Sequence, residues 1–236
     1  MYKYELHCHT AEGSRCASST AAEMAEFYYR LGYTGIVITD HFFNGNCTVP
    51  KDLPWRERVM LYCRGYENAR AYGERVGLDV FFGWEFYGDF VTLGLSPQWL
   101  AEHEDLDKLT VFEYFDTIHR DGGYIIHAHP FRESATTKSM RIYPRIVDAM
   151  EVINAQNTEF QNSVAACIAE KYGVTAVCGS DAHNTSVSSL CALHLQEKAG
   201  NLDALIAAVR ANHHSVQLYE VLREGEKIHL ERTKAE

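Results

Sequence analysis

Short apolar runs alternate along the chain with longer stretches whose apolar residues recur at helical spacing, the pattern of βα units around a largely parallel sheet. A first strand is predicted at about residues 3–7. Thr20 followed by Glu23 forms a capping-box signal for a helix through Leu31 that stops at Gly32. Ile36–Thr39 reads as a buried strand, with Asp40 and His41 just past its end. Pro54 and Gly77 bracket one long helix over 55–76, although Gly65 and Gly73 each cost a helix interior about 1 kcal/mol. Further strands are expected at 80–84, 90–95, 124–127, 150–153, 174–178, 191–195 and 215–219, and helices at 111–120, 160–172 and 202–212.

The polar residues of interest fall in one kind of place. His7, His9, Asp40, His41, Glu85, His129, Asp181 and His183 all lie at or just beyond the C-terminal ends of predicted strands. In a parallel β/α barrel those ends converge on one face, so residues remote in sequence would meet there.

Composition changes the picture little. The 236 residues are 46% hydrophobic and 23% charged, with no Pro-, Gly- or Ser-rich linker, which predicts a single α/β domain over 1–222 and a charged C-terminal tail over 223–236. A net charge of -10 argues against extended nucleic-acid binding, but bound divalent cations would reverse the local field for a small anionic substrate. Seven scattered cysteines without a CxxC pair read as reduced thiols. The start lacks an apolar run after Lys3, and no stretch approaches the ~18–20 apolar residues of a bilayer span, so a cytoplasmic protein without membrane contact is expected. Oligomeric state has no signature in the sequence.

Twelve histidines make any one of them weak evidence, and His103, His119, His194, His213, His214 and His229 read as surface or helix-end residues. The pair His7-x-His9 is different, because positions i and i+2 of an extended segment point to the same side and both imidazoles can bind one ion. Asp181-x-His183 repeats the spacing with an oxygen and a nitrogen donor. Glu85 ends an aliphatic strand, and a carboxylate bridges two ions where a neutral imidazole cannot. Mixed imidazole and carboxylate donors suit Zn, Mn or Fe.

The order His7-Cys-His9, Thr39-Asp-His41, Gly83-Trp-Glu85, His129-Pro-Phe-Arg132 and Gly179-Ser-Asp-Ala-His183 resembles the PHP (polymerase and histidinol phosphatase) family over residues 5 to about 185. The resemblance implies a distorted (β/α)7-type barrel and a centre of two or three divalent transition-metal ions that hydrolyses phosphoesters. One ion would take His7, His9, Glu85 and Asp181; a second would share Glu85 and take His129. A third would take His41 and His183 with a residue from the loop after the first strand.

That loop departs from the common pattern, in which Asp or His stands where this chain has Ser14 and Arg15. Glu12 is the expected replacement ligand against the alternative of a solvated loop acid, and Cys16 is a competing donor disfavoured beside hard carboxylates. Asp89 is either a ligand or a turn residue. Asp40 is expected to orient a ligand imidazole, and His127 to support a ligand from behind or touch substrate rather than bind metal. Hydrolysis would use a metal-bound hydroxide, with Arg132, and less strongly Arg15, gripping phosphate. His183 or His127 would protonate the leaving group. Small phosphomonoesters fit best. An amidohydrolase-type C–N hydrolase and a catalytically silent metal-binding module are the alternatives, and the loops at 43–56, 86–89, 133–145 and 184–189 would set specificity.

Overall fold

The computed structural model describes residues 1–133, 139–225 and 227–233; part of the 133–145 loop therefore lies outside the described residues. In chain order the elements are β1 (Tyr2–Cys8), α1 (Ala21–Arg30), β2 (Gly35–Ile38), α2 (Trp55–Tyr62), α3 (Arg64–Val76), β3 (Asp79–Phe82), β4 (Trp84–Phe86) and β5 (Phe90–Leu93). There follow α4 (Pro97–Glu102), α5 (Val111–Arg120), β6 (Tyr124–His127), β7 (Ala149–Asn154), α6 (Glu159–Tyr172), β8 (Thr175–Gly179), β9 (Ser189–Leu195), α7 (Leu202–Arg210), β10 (His214–Glu224) and β11 (Lys227–Arg232).

The strands form two sheets, ordered β11-β10-β9-β1-β2-β3 and β4-β5-β6-β7-β8. The fold is thus mixed α/β, and the expected barrel is not closed among the described residues. Pairing is parallel within β1-β2-β3 and β6-β7-β8 and antiparallel elsewhere, so the largely parallel sheet is corrected as well. Single bridges join the two sheets at Cys8↔Ala182 and His41↔Glu85. Both bridges sit where candidate ligands cluster.

Local chemistry explains most boundaries. Thr20 and Glu23 form the expected capping box on α1, and Thr110 with Glu113 forms another on α5. The long helix splits into α2 and α3 at Cys63. Gly65, just inside α3, packs against the polar loop: a Cβ there would lie 2.5 Å from Thr10 Oγ1 and 2.7 Å from Asp40 Oδ2. The strand expected over 80–84 breaks at Gly83, where β3 ends in one sheet and β4 begins in the other. The presumed tail is a hairpin: β10 runs through residue 222, and Val221 pairs with Leu230.

The apolar interior divides around the strands. Aromatic residues including Phe42, Trp55, Trp84, Phe86 and Tyr114 pack between β4-β5 and α2, α4 and α5, with Phe86 stacked on Tyr114 at 3.5 Å between ring centroids. A second cluster of Tyr4, Leu6, Val37, Ile126 and Leu193 fills the space between the sheets. This packing fixes the strand ends from which the polar cluster projects. No helix among the described residues is long and apolar enough to cross a membrane.

Candidate metal centre

The strand ends bring His7, His9, His41, Glu85, His129, Asp181 and His183 together in one buried cluster. His7 Nε2 lies 3.0 Å from His9 Nε2 and 3.5 Å from both Glu85 Oε1 and Asp181 Oδ1. His9 Nε2 is 3.1 Å from Asp181 Oδ1 and 3.6 Å from Glu85 Oε2. Glu85 also meets His129 Nε2 at 3.0 Å and His41 Nδ1 at 2.6 Å. Its carboxylate therefore stands at the centre of four imidazoles. Among the described residues, three groups have donor atoms within 4.8 Å of one another: His7/His9/Glu85, His7/His129/Asp181 and His9/His41/His183.

Hydrogen bonds at the outer ring nitrogens decide what the inner ones can do. His7 Nδ1 donates to Glu151 Oε1 at 2.8 Å, so that in the neutral ring Nε2 is the nitrogen that keeps the lone pair. Ser14 Oγ donates to Asp40 Oδ1 at 2.8 Å, so it accepts from His9 Nδ1 at 3.0 Å and again leaves Nε2 bare. His183 Nδ1 donates to the Asp181 carbonyl at 2.9 Å, with the same result. With these rings neutral, their lone pairs and the carboxylates of Glu85 and Asp181 face each other across the cluster. A cation satisfies that arrangement, and the donor set fits one.

Without an ion, the carboxylates and imidazoles shift one another's hold on protons instead. Burial disfavours ionised Glu85, but His7, His129 and His41 together hold its carboxyl well below the usual range. Asp181 is likewise buried and is held low by His7, His9 and His129. Burial pulls His7 down, yet Glu151, Asp181 and Glu85 raise it well above an ordinary imidazole. Burial, with His41 and His183 nearby, takes His9 down to about 3.

Backbone geometry also concentrates here. His129 and Asp181 have φ of 29° and 50°, left-handed values that cost a non-glycine residue about 1–3 kcal/mol. His129 N is held by Glu151 Oε2 at 2.8 Å, and Asp181 N by the His7 carbonyl at 2.8 Å.

Glu12 is not brought to the cluster. Its Oε2 accepts from Ala21 N at 2.8 Å and its Oε1 from Asn68 Nδ2 at 3.0 Å, because the unpaired N–H at the start of α1 attracts a carboxylate. Glu12→Ala is expected to leave bound metal unchanged and to cost about 0.5–2 kcal/mol of stability, the range for losing an acceptor at a helix start. Parallel metal analysis and chemical denaturation would check it, and a lost ion would return Glu12 to the centre.

Arg15 is also elsewhere, donating from Nε to the Cys47 carbonyl at 2.5 Å. The Cys16 thiol instead lies against His183 and His41; partial burial raises its pKa, but these two imidazoles bring it down to about 6. Asp40 accepts from Thr10 N at 2.6 Å, Thr10 Oγ1 at 2.7 Å and Ser14 Oγ. It orients His9 through Ser14 rather than holding an imidazole itself.

A cavity of about 800 Å³ opens beside the cluster, walled in part by Tyr87, Asp89, His127, Arg132, Arg141 and Tyr143. Asp89 is raised by burial and lies in this wall. His127 is buried, which lowers it to about 3, so it is neutral near neutral pH and unsuited to deliver a proton as imidazolium. Arg132 donates to Asp181 Oδ2 from Nη1, to Asn154 Oδ1 from Nη2 at 2.6 Å and to Asn157 Oδ1 from Nε at 2.9 Å. It holds Asp181 with those donors and has two further N–H groups.

Sequence reasoning missed Glu151 and Arg141. The signal for Glu151 was an acid inside the apolar run Met150–Ile153. Arg141 carried none.

Sequence comparison finds no matching family model and no matching curated protein. Solved structures do share the fold. A two-domain protein from Bacteroides vulgatus containing a predicted PHP-like metal-dependent phosphoesterase aligns with TM-score 0.69 and 16% identity, covering 91% of this chain. The chain spans 64% of that protein's length. A Bifidobacterium adolescentis protein inferred to be a metal-dependent phosphoesterase aligns with TM-score 0.54 and 14% identity over 88% of this chain and 96% of its own. PsfC from Pseudomonas syringae gives 0.61 and 14% over 96% and 93%. The chain thus shares its fold with these proteins, one of which is described as PHP-like, in line with the resemblance of the motif order.

Proposed function

We propose that the chain is a metal-dependent phosphoesterase of the PHP type that hydrolyses small phosphomonoesters. One observation carries this reading: seven donors converge, with the rings of His7, His9 and His183 oriented from behind by Glu151, Ser14 and the Asp181 carbonyl. Seven donors exceed what one tetrahedral ion uses, so two or three ions are proposed, drawn from Zn, Mn or Fe. When bound, such ions activate water and neutralise phosphate charge.

The protein's own groups do the rest. His7, His9, Glu85 and Asp181 would hold one ion, and His129 with Glu85 a second. His41 and His183 would hold a third. Arg132 keeps Asp181 in place and offers its remaining N–H groups to a phosphate oxygen. Arg141, exposed on the same cavity wall, supplies a second positive charge. The cavity volume of about 800 Å³ suits a small phosphorylated molecule.

The test is phosphate release from p-nitrophenyl phosphate and a panel of sugar, amino-alcohol and nucleotide monoesters, with N-acyl and cyclic-amide substrates alongside. Metal-dependent monoester turnover that a chelator abolishes is expected. Turnover of the amides alone would reject the proposal.

A further inference from the structure

We propose that Glu5 is a positioning residue of the metal centre, its Oε1 fastening the His7-x-His9 strand end to the Asp181-x-His183 segment. The inference rests on reading the cluster as a multinuclear metal centre. Glu5 is a buried acid in the middle of β1 and belongs to none of the three donor groups found among the described residues.

A break in the strand pairing sets its place. Glu5 pairs with Ile36 and Cys8 with Ile38, so Leu6 and His7 stand together opposite Val37. Such a bulge puts one residue out of the ladder and re-aims the side chains around it. At the same point β1 takes up the segment that follows β8. The His7 carbonyl accepts from Asp181 N at 2.8 Å, His9 N donates to the Ala182 carbonyl at 3.0 Å, and Cys8 bridges Ala182 in parallel. Two buried backbone N–H groups at this junction, those of His7 and Ser180, both donate to Glu5 Oε1, at 2.8 and 2.9 Å. Buried N–H groups require an acceptor. One oxygen supplies it to both chains, at His7 itself and at the residue before Asp181.

The second oxygen has partners of another kind. Oε2 accepts from Tyr28 Oη at 3.1 Å and from Ser180 Oγ, which in turn accepts from Cys191 N at 2.7 Å. Both partners are hydroxyls, and a hydroxyl can turn to accept instead of donate. The Ser180 proton then has the Cys191 carbonyl, 3.3 Å away, as its acceptor. The contacts at Oε1 cannot reverse in this way, because a backbone N–H only donates. An acceptor oxygen at a fixed reach, rather than the charge of the side chain, therefore holds the two ligand segments together. Glu151 has no such freedom, since its partners are all nitrogens.

Two substitutions in the full-length chain separate reach from charge. Glu5→Gln keeps the length and one acceptor oxygen, and its NH2 group can face the two hydroxyls. Glu5→Asp keeps the charge but is shorter by one methylene, so its carboxylate cannot serve His7 N and Ser180 N at once. The metal-free variants are titrated with zinc against a competing chelator. Glu5→Gln should bind within about threefold of the parent and Glu5→Asp about 10–100-fold more weakly, the range for lost support behind a ligand. The visible spectrum of cobalt(II)-loaded Glu5→Asp should shift as its ligand geometry changes, while that of Glu5→Gln should match the parent. Equal losses in both variants would overturn the assignment in favour of a charge effect. Parental affinity and spectrum in Glu5→Asp, at whatever unfolding midpoint, would make Glu5 a part of the fold alone. If Glu5→Asp does not fold, a loss of about tenfold or more in Glu5→Gln still overturns the proposal. A parent chain that binds fewer than about two zinc ions rejects the metal centre itself, and the role of Glu5 with it, before either variant is measured.

Discussion

Glu85→Gln should abolish the greater part of any metal-dependent turnover and remove at least one ion per chain. The carboxylate meets His7, His9, His41 and His129 at 2.6 to 3.6 Å, so it is placed to serve more than one cation. Glutamine keeps the size and one oxygen. It loses the charge and replaces the other oxygen with an amide nitrogen, which cannot bind metal. Loss of a residue that merely orients a ligand costs about 10–100-fold in metal affinity or activity, so loss of a shared ligand should cost more than about 100-fold. The fold should survive. Glu85 is wholly buried, but the imidazoles around it hold its carboxyl well below the usual range, so the charge stabilises the folded metal-free chain near neutral pH. The unfolding midpoint of metal-free Glu85→Gln should therefore fall below that of the parent while the cooperative transition is kept. Elemental analysis, turnover and thermal unfolding on the same preparations decide it. Near-parental turnover with undiminished metal would remove Glu85 from the centre.

How much of this centre could be read from the sequence depends on where each residue lies along its strand. His7, His9, His41, Glu85, His129, Asp181 and His183 stand at strand ends, where a polar residue interrupts an apolar run and is visible. Glu151 lies inside β7 and meets His7 across 144 positions, so no spacing connects them. Glu12 misled because a loop carboxylate has two attractive destinations, a cation and a helix start. The helix start won through Ala21 N and Asn68, a contact that only the docking of α3 beside the loop creates. The break at Gly83 was hidden for a similar reason. A Cβ there would come within 2.8 Å of the Thr92 carbonyl, on a strand nine residues later that turns back antiparallel. The C-terminal hairpin was obscured by its charges, which face outward while Val221, Ile228 and Leu230 pack inward against the α1 side of the molecule.

Glu151→Gln should weaken metal binding by about 10–100-fold even though Glu151 is not itself proposed to touch an ion. Its two oxygens accept three hydrogen bonds: Oε1 from His7 Nδ1, and Oε2 from His129 N and Asn154 Nδ2, each at 2.8 Å. One carboxylate thus sets the tautomer of His7 and supports the left-handed backbone of His129, two residues proposed to hold different ions. Glutamine has one acceptor oxygen. Whichever way the amide is turned, at least one donor faces its NH2 group in a fully buried site, and an unsatisfied buried donor costs about 1–3 kcal/mol. If the amide nitrogen faces His7, the ring is driven to the tautomer that carries its proton on Nε2, and the lone pair needed for metal is lost. If it faces the other way, His129 N loses its support and the strained φ of 29° relaxes. There is no room to escape by shifting, because a Cβ on Gly179 would already lie 2.0 Å from Glu151 Oε1. Titrating the metal-free variant with zinc against a competing chelator measures the effect directly. An affinity within about twofold of the parent would mean that Glu151 shapes β7 without governing the imidazoles, and that the inward lone pair of His7 is set by something else.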